Sequence, residues 1–172
     1  MATLTLDLRR PLTDLWNGIT KSRRKEVKRA RNRGITFEKS IDHEEYENML
    51  NHLRSGLDLN TRTVKPNPPY LFIARTKEGL AVAGNDFYTC EKGTRLRAST
   101  GGTYRLIPEL KTVSGLANAF LLWEQIKWAK EHGFITYDFG GYAESGIANG
   151  RDVSGVNYFK KTFGGTIAPK TC

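Results

Sequence analysis

Few side chains in this sequence combine the residue type and the spacing that chemistry requires. The histidines His43, His52 and His132 lie far apart, and Cys90 and Cys172 sit at no metal-ligand spacing, so neither a metal site nor a disulfide is expected. Ser99 follows a β-like run and could hydrogen-bond a substrate, but no Ser-His-Asp arrangement makes it a nucleophile. Asp138 stands where an apolar run meets Gly140-Gly141. In α/β sheets ligands gather at the carboxyl ends of strands, where a carboxylate could orient an amine or accept its proton. The structural alternative is a turn aspartate that holds the glycine bend. The two glycines either allow close approach of backbone to substrate or supply a bend with positive φ. Taken alone, Phe159-Lys160-Lys161 reads as an aromatic core residue beside solvated lysines, and Gly164-Gly165 reads as a turn. Tyr142, Tyr158, Trp123 and Trp128 are candidates to line a pocket, with Trp123 better placed in the core.

Charge supplies the second signal. The chain has 172 residues and a net charge of +9, which suggests a polyanionic partner such as nucleic acid, a phosphorylated ligand or an anionic membrane surface. Most of the asymmetry lies in residues 21–33, which hold eight basic residues and one acidic residue. Arg23, Arg24, Lys25, Lys28, Arg29 and Arg31 are the candidate nucleic-acid or phosphate contacts, with a solvated helix face as the alternative. Arg62 and Lys65, and Arg95 and Arg97, could extend the patch. With 38% hydrophobic and 26% charged residues the composition is that of an ordinary globular domain, and the length suits one domain over residues 1–172. No apolar run approaches the ~20 residues of a membrane span, and the N-terminus lacks the features of a signal peptide, so a cytoplasmic protein is expected.

The elements that must position these residues follow from periodicity. Leu4 and Leu6 alternate with threonines in a first strand. Residues 11–33 read as one helix, with Leu12, Leu15, Trp16 and Ile19 at helical spacing and Gly34 as its stop. Residues 35–38 are β-like. Asp42 and Glu45 form a capping box ahead of the Tyr46, Met49, Leu50, Leu53 stripe. Residues 58–69, with Pro66, Pro68 and Pro69, are a loop. Three runs, 70–75, 80–90 and 94–99, joined by glycine turns, predict an antiparallel meander. Residues 115–132 form the strongest helix, 134–139 a strand broken by Gly140-Gly141, and 158–163 and 166–168 a helical turn and a last strand. The order of strand, two helices, meander, helix and strand is that of an α/β protein of the GNAT layout, a mixed, mostly antiparallel sheet flanked by helices.

At the C-terminal half the residues become specific. Residues 118–133, then Tyr137-Asp138-Phe139-Gly140-Gly141, Gly155 and Phe159-Lys160-Lys161-Thr162-Phe163-Gly164-Gly165, resemble the C-terminal motifs of the Fem-type aminoacyltransferases. Leu6-Asp7-Leu8 through Leu15-Trp16, Arg23-Arg24 and residues 28–34 resemble the opening of one GNAT domain of that family. Fem enzymes transfer an aminoacyl group from aminoacyl-tRNA to a lipid- or nucleotide-linked stem peptide. The resemblance implies that Lys160, in the family's Phe-Lys motif, stabilises the oxyanion of acyl transfer; Asp138, from its place at a strand end, is the second catalytic candidate, to orient the acceptor amine or accept its proton. Phe159, Gly140, Gly141, Tyr142, Ser99 and Asn118 would bind substrate. The resemblance also implies tRNA as partner and aminoacyl-tRNA as co-substrate with no resident cofactor, and an amine of a small molecule or peptide as acceptor; the lack of a Ser-His-Asp arrangement points to direct transfer without a covalent enzyme intermediate. Fem enzymes carry two GNAT domains and this chain matches one, so pairing of two copies in a homodimer is one way to complete a cleft. The long helical arm of some members has no counterpart, and the basic helix is its candidate substitute.

Two rivals are carried along. Acyl-CoA-using GNAT proteins hold the pyrophosphate on backbone amides at a helix start, in an Arg/Gln-x-x-Gly-x-Gly/Ala pattern. Gly115 and Ala117 fit that pattern and Thr112 does not, which keeps an acyl-CoA-dependent N-acyltransferase as the alternative. A non-catalytic RNA-binding module would suit the charge, but the basic segment lacks interleaved aromatics for stacking.

Overall fold

The computed structural model describes residues 2–64 and 70–170. Lys65 and the three prolines of the expected loop therefore lie outside the described residues, as does Cys172. Contacts divide the chain into two compact units. The first comprises residues 1–24, 89–98 and 126–172, and the second residues 25–88 and 99–125.

In the first unit β1 (Ala2–Asp7) pairs antiparallel with β6 (Thr136–Tyr142) on one side and with β9 (Thr166–Pro169) on the other. The start of β5 (Arg95–Thr103) lies parallel to β6, with Arg97 beside Asp138. Leu4 and Leu6 are buried as their alternation requires, and each fully buried leucine contributes about 1.5–3 kcal/mol. Helix α1 (Leu12–Gly18) is short, and α5 (Ser154–Lys161) stacks Phe159 edge-on against Phe163, with ring centroids 5.5 Å apart. A two-residue hairpin of β7 (Ile147–Ala148) and β8 (Arg151–Asp152) precedes α5.

In the second unit β2 (Thr36–Ser40) pairs antiparallel with β3 (Tyr70–Arg75), and β3 with β4 (Ala81–Cys90), the latter two being the first pair of the expected meander. Helix α3 (His43–Ser55) begins where the capping box placed it, the Asp42 carboxylate accepting from the Glu45 amide at 2.9 Å. Its stripe of Tyr46, Met49 and Leu50 is buried with Leu71, Ile73, Ala81 and Val64. Gly84 makes this packing possible, because a Cβ there would sit 2.8 Å from both Met49 Cε and Tyr46 Cδ2. The strand order through the sheet is β2-β3-β4-β5-β6-β1-β9, the mostly antiparallel seven-stranded α/β arrangement expected. The division between the units falls within β4, β5, α2 (Lys21–Asn32) and α4 (Lys111–Glu131).

Four expectations need correction. The single helix over 11–33 is two: Ile19 is extended at ψ 137°, and Thr20 N donates to Thr162 O at 2.9 Å, so the partner it meets there outweighs helical continuity. The helix expected over 115–132 starts at Lys111, four residues before Gly115. A 3-10 turn at Pro108–Leu110 leads into it and replaces a glycine start. Gly140-Gly141 does not break the strand, which runs on to Tyr142. Cys90 is disulfide-bonded, whereas no disulfide was expected from two cysteines alone. Among the described residues no helix is long and apolar enough to cross a membrane, and no group of three or more His, Cys, Asp or Glu side chains could hold a metal ion.

Candidate active site

The site grows from an irregularity in one strand pair. Thr3 pairs with Gly141 and Thr5 with Asp138, so β6 carries one residue more than β1 between these points. That is a β-bulge, a device that bends a strand and re-aims its side chains. Gly140 takes φ +81° there, a conformation a side chain strains, and a Cβ on it would stand 3.0 Å from Ala98 O and 3.9 Å from Lys160 Nζ.

Asp138 anchors the bulge. Its carboxylate accepts from the Gly140 amide at 2.8 Å, from Arg97 Nη1 at 2.6 Å and from the Thr3 hydroxyl, which also lies 2.8 Å from Gly140 O. Arg95 Nη1 stands 3.5 Å from the same carboxylate and Arg95 Nη2 2.9 Å from Glu91. Asp138 is 0% exposed. Of the two roles open to it in the sequence, this geometry supports holding the glycine bend, because no exposed oxygen is left for a substrate amine. A buried carboxylate with charge-assisted partners is also what two buried arginines need to be tolerated.

Lys160 reaches the bulge from α5, its ammonium donating to Gly141 O at 2.7 Å. Burial pushes its pKa down to about 8; the Asp138 charge opposes that shift and Arg97 adds to it. A lysine with most of its stem buried and its head against backbone at a glycine bulge is a positioned charge, unlike the solvated lysine that Phe-Lys-Lys suggests in isolation. Lys161, by contrast, is exposed and lies 5.4 Å from the Tyr142 ring. The arrangement can bind an anion or stabilise one that develops beside Gly140 and Gly141.

The other expected residues sort themselves by place. Phe159, Gly140, Gly141 and Tyr142 cluster with Lys160 and Asp138 in the first unit. Ser99 on β5 and Asn118 in α4 are half-buried residues of the second unit, and the cluster is built without them. Arg23 packs its guanidinium 4.3 Å from the Phe159 ring centroid and donates to Thr162 Oγ1 at 3.1 Å. Arg24 donates to Asn17 O at 3.1 Å, and Arg31 pairs with Glu124 at 3.2 Å. Lys25, Lys28 and Arg29 are exposed. Gly115 and Ala117 lie inside α4, past the turn whose free amides could hold a pyrophosphate.

Thr3, Arg95 and Arg97 were not foreseen in the site. The two arginines were expected to extend a surface patch, yet they are 9% and 4% exposed. Their period-2 spacing about Leu96 signals one shared strand face but not that the face is covered.

No protein-family model matches the sequence, and no curated protein does. Solved structures do match. FemX superposes with a TM-score of 0.78 at 16% identity, over 98% of this chain and 60% of FemX. The C-terminal domain of a protein named as a lysylphosphatidylglycerol synthetase from Agrobacterium fabrum gives 0.68 at 13% identity, over 98% of this chain and 57% of that one. The structure of L-PGS from Bacillus licheniformis gives 0.64 at 14%, covering 96% and 57%. The chain thus spans about 60% of the length of the structures it resembles. Its fold is the GNAT-type fold of the FemX and lysylphosphatidylglycerol synthetase structures.

Proposed function

We propose that the chain is an aminoacyltransferase that moves an aminoacyl group from aminoacyl-tRNA to an amine of a small molecule or peptide, forming an amide. The observation that carries this reading is the Lys160 ammonium held 2.7 Å from Gly141 O at the β6 bulge, with the Arg97–Asp138 pair beside it. The shared fold with FemX, whose family resemblance lies in the same Phe159-Lys160 segment, supports it.

In this mechanism the acceptor amine attacks the ester carbonyl, and the Lys160 ammonium stabilises the resulting oxyanion. Collapse forms the C–N bond and breaks the C–O ester bond. The amine's proton ends on the departing ribose oxygen, a transfer that a lysine with a pKa of about 8 can assist as general acid. Asp138 acts as a positioning residue: it fixes Gly140 and tempers the positive field at Lys160. The exposed Lys25, Lys28 and Arg29 would meet tRNA phosphates.

The test is transfer of labelled amino acids from a charged tRNA pool to candidate amines by the purified chain. Label in a ribonuclease-resistant amide is the expected result. No transfer from any charged tRNA, together with a raised melting temperature on adding acetyl- or acyl-CoA, would replace this donor with an acyl thioester.

A further inference from the structure

The second unit holds a carboxylate that the mechanism does not use. Asp86 lies on β4, paired in register with Leu71 of β3, and is half-buried. One of its oxygens, Oδ1, accepts from the Tyr46 hydroxyl at 2.8 Å, from the Thr100 amide at 3.0 Å and from the Thr100 hydroxyl. The donors come from α3 and β5, so the carboxylate is fixed from two elements beyond its own. Tyr46 is 0% exposed, and burial, followed by the Asp86 charge, raises its phenol pKa well above the ordinary value, which keeps it a donor.

The other oxygen, Oδ2, takes no hydrogen bond from the described residues, and no Lys, Arg or His among them forms an ion pair with Asp86. In a chain of net charge +9, a half-buried carboxylate without a cation is unusual. Satisfying Tyr46 does not explain it, because Thr100 Oγ1 lies 2.9 Å from the same phenol and would suffice. Three donors spent on one oxygen leave the second oriented and unspent, which is how a site is preorganised for an incoming donor.

We propose that Asp86, held by Tyr46 and Thr100, is an ammonium-binding subsite of the second unit. Its ligand is a protonated amine carried by a substrate. Naming that substrate rests on the transferase reading, in which both the aminoacyl group and the acceptor carry amines.

The binding test does not depend on that reading. The full chain, isotope-labelled, is titrated by NMR with L-alanine methyl ester and, separately, with its N-acetyl derivative, which has the same ester and no charge. The expected result is saturable shifts of the Asp86 and Thr100 amides with the free amine, at least tenfold weaker with the acetylated probe and in Asp86→Asn. Asparagine keeps the oxygen that Tyr46 and Thr100 address and replaces only the free one, so the variant retains those hydrogen bonds. Absence of shifts in the wild-type protein, equal shifts with both probes, or unchanged binding in Asp86→Asn would each overturn the proposal. In the transfer assay, Asp86→Asn raises KM tenfold or more for aminoacyl-tRNA if the donor's amine is held, or for the acceptor if that amine is held. Both KM values staying within twofold would overturn the assignment to this reaction's substrates.

Discussion

A lysine is useful to acyl transfer only if its charge is present and cannot wander, and Lys160 meets the second condition through Gly141 O and the first up to a limit set by its surroundings. With its pKa lowered to about 8, the ammonium is present below that pH and lost as pH rises through it. The activity is therefore expected to fall on a descending limb near pH 8, above whatever rise the acceptor amine's own deprotonation gives. Lys160→Met should lower kcat on the order of 10²–10³-fold. Lys160→Arg should keep part of the activity and lose the descending limb, since a guanidinium stays charged; the same limb in Lys160→Arg would assign it to another group. Asp138 acts on both charge and fold. Asp138→Asn removes the one charge that raises the Lys160 pKa, so the limb should move below 8. The same change strips Arg97 of its buried partner, and breaking such a pair costs roughly 3–5 kcal/mol. Denaturant melts read this directly, and a variant as stable as the parent would remove Asp138 from the structural role assigned here.

Helix α5 carries Lys160, and what holds α5 is the first turn of α2. Arg23 lies over Phe159 and bonds Thr162 Oγ1, whose hydroxyl in turn donates to Phe159 O at 2.6 Å. Arg23 thus positions the helix that carries Lys160 and is only half exposed to a phosphate. Arg23→Lys loses the planar fork and the stacking while keeping the charge, so kcat should fall about tenfold with KM for aminoacyl-tRNA and its salt dependence unchanged. A change in KM alone would return Arg23 to the RNA-binding set. This tie is not legible in the sequence, where residues 21–33 read as one charged face, because it depends on Thr20 meeting Thr162 at the helix break after Gly18, a pairing no local pattern announces. Local signals fare better: the Asp42 cap, the Tyr46–Leu53 stripe and the turns of the meander are written within a few residues and are found where they were expected. The bulge lies between these cases. Gly140-Gly141 announces an unusual backbone, but whether a positive-φ glycine ends a strand or kinks it depends on the partner strand. That partner is Thr3, 137 residues from Gly140. Arg95 and Arg97 become site residues for the same reason, since the parallel neighbour β6, distant in sequence, brings the Asp138 carboxylate beside them.

Over the whole molecule, the excess charge acts through the residues that remain free to meet a partner. Arg24 and Arg31 are engaged with Asn17 O and Glu124, whereas Lys25, Lys28 and Arg29 are exposed on α2. Each phosphate neutralised by a basic side chain releases counterion and contributes roughly 0.7–0.9 to the slope of log affinity against log salt. Replacing Lys25, Lys28 and Arg29 together by alanine should therefore flatten that slope by about 2–3 for tRNA, with a matching rise in KM at physiological salt and kcat preserved. Arg31→Ala serves as the internal control, because its charge is already paired with Glu124 and its loss should leave the slope nearly unchanged. Filter-binding or fluorescence titrations at several salt concentrations measure both slopes. If Arg31→Ala flattens the slope by as much per charge removed as the triple variant does, the charge acts as a diffuse field; if only the triple variant does, α2 presents a defined phosphate-binding face, and the division of its basic residues into positioning and contacting sets holds.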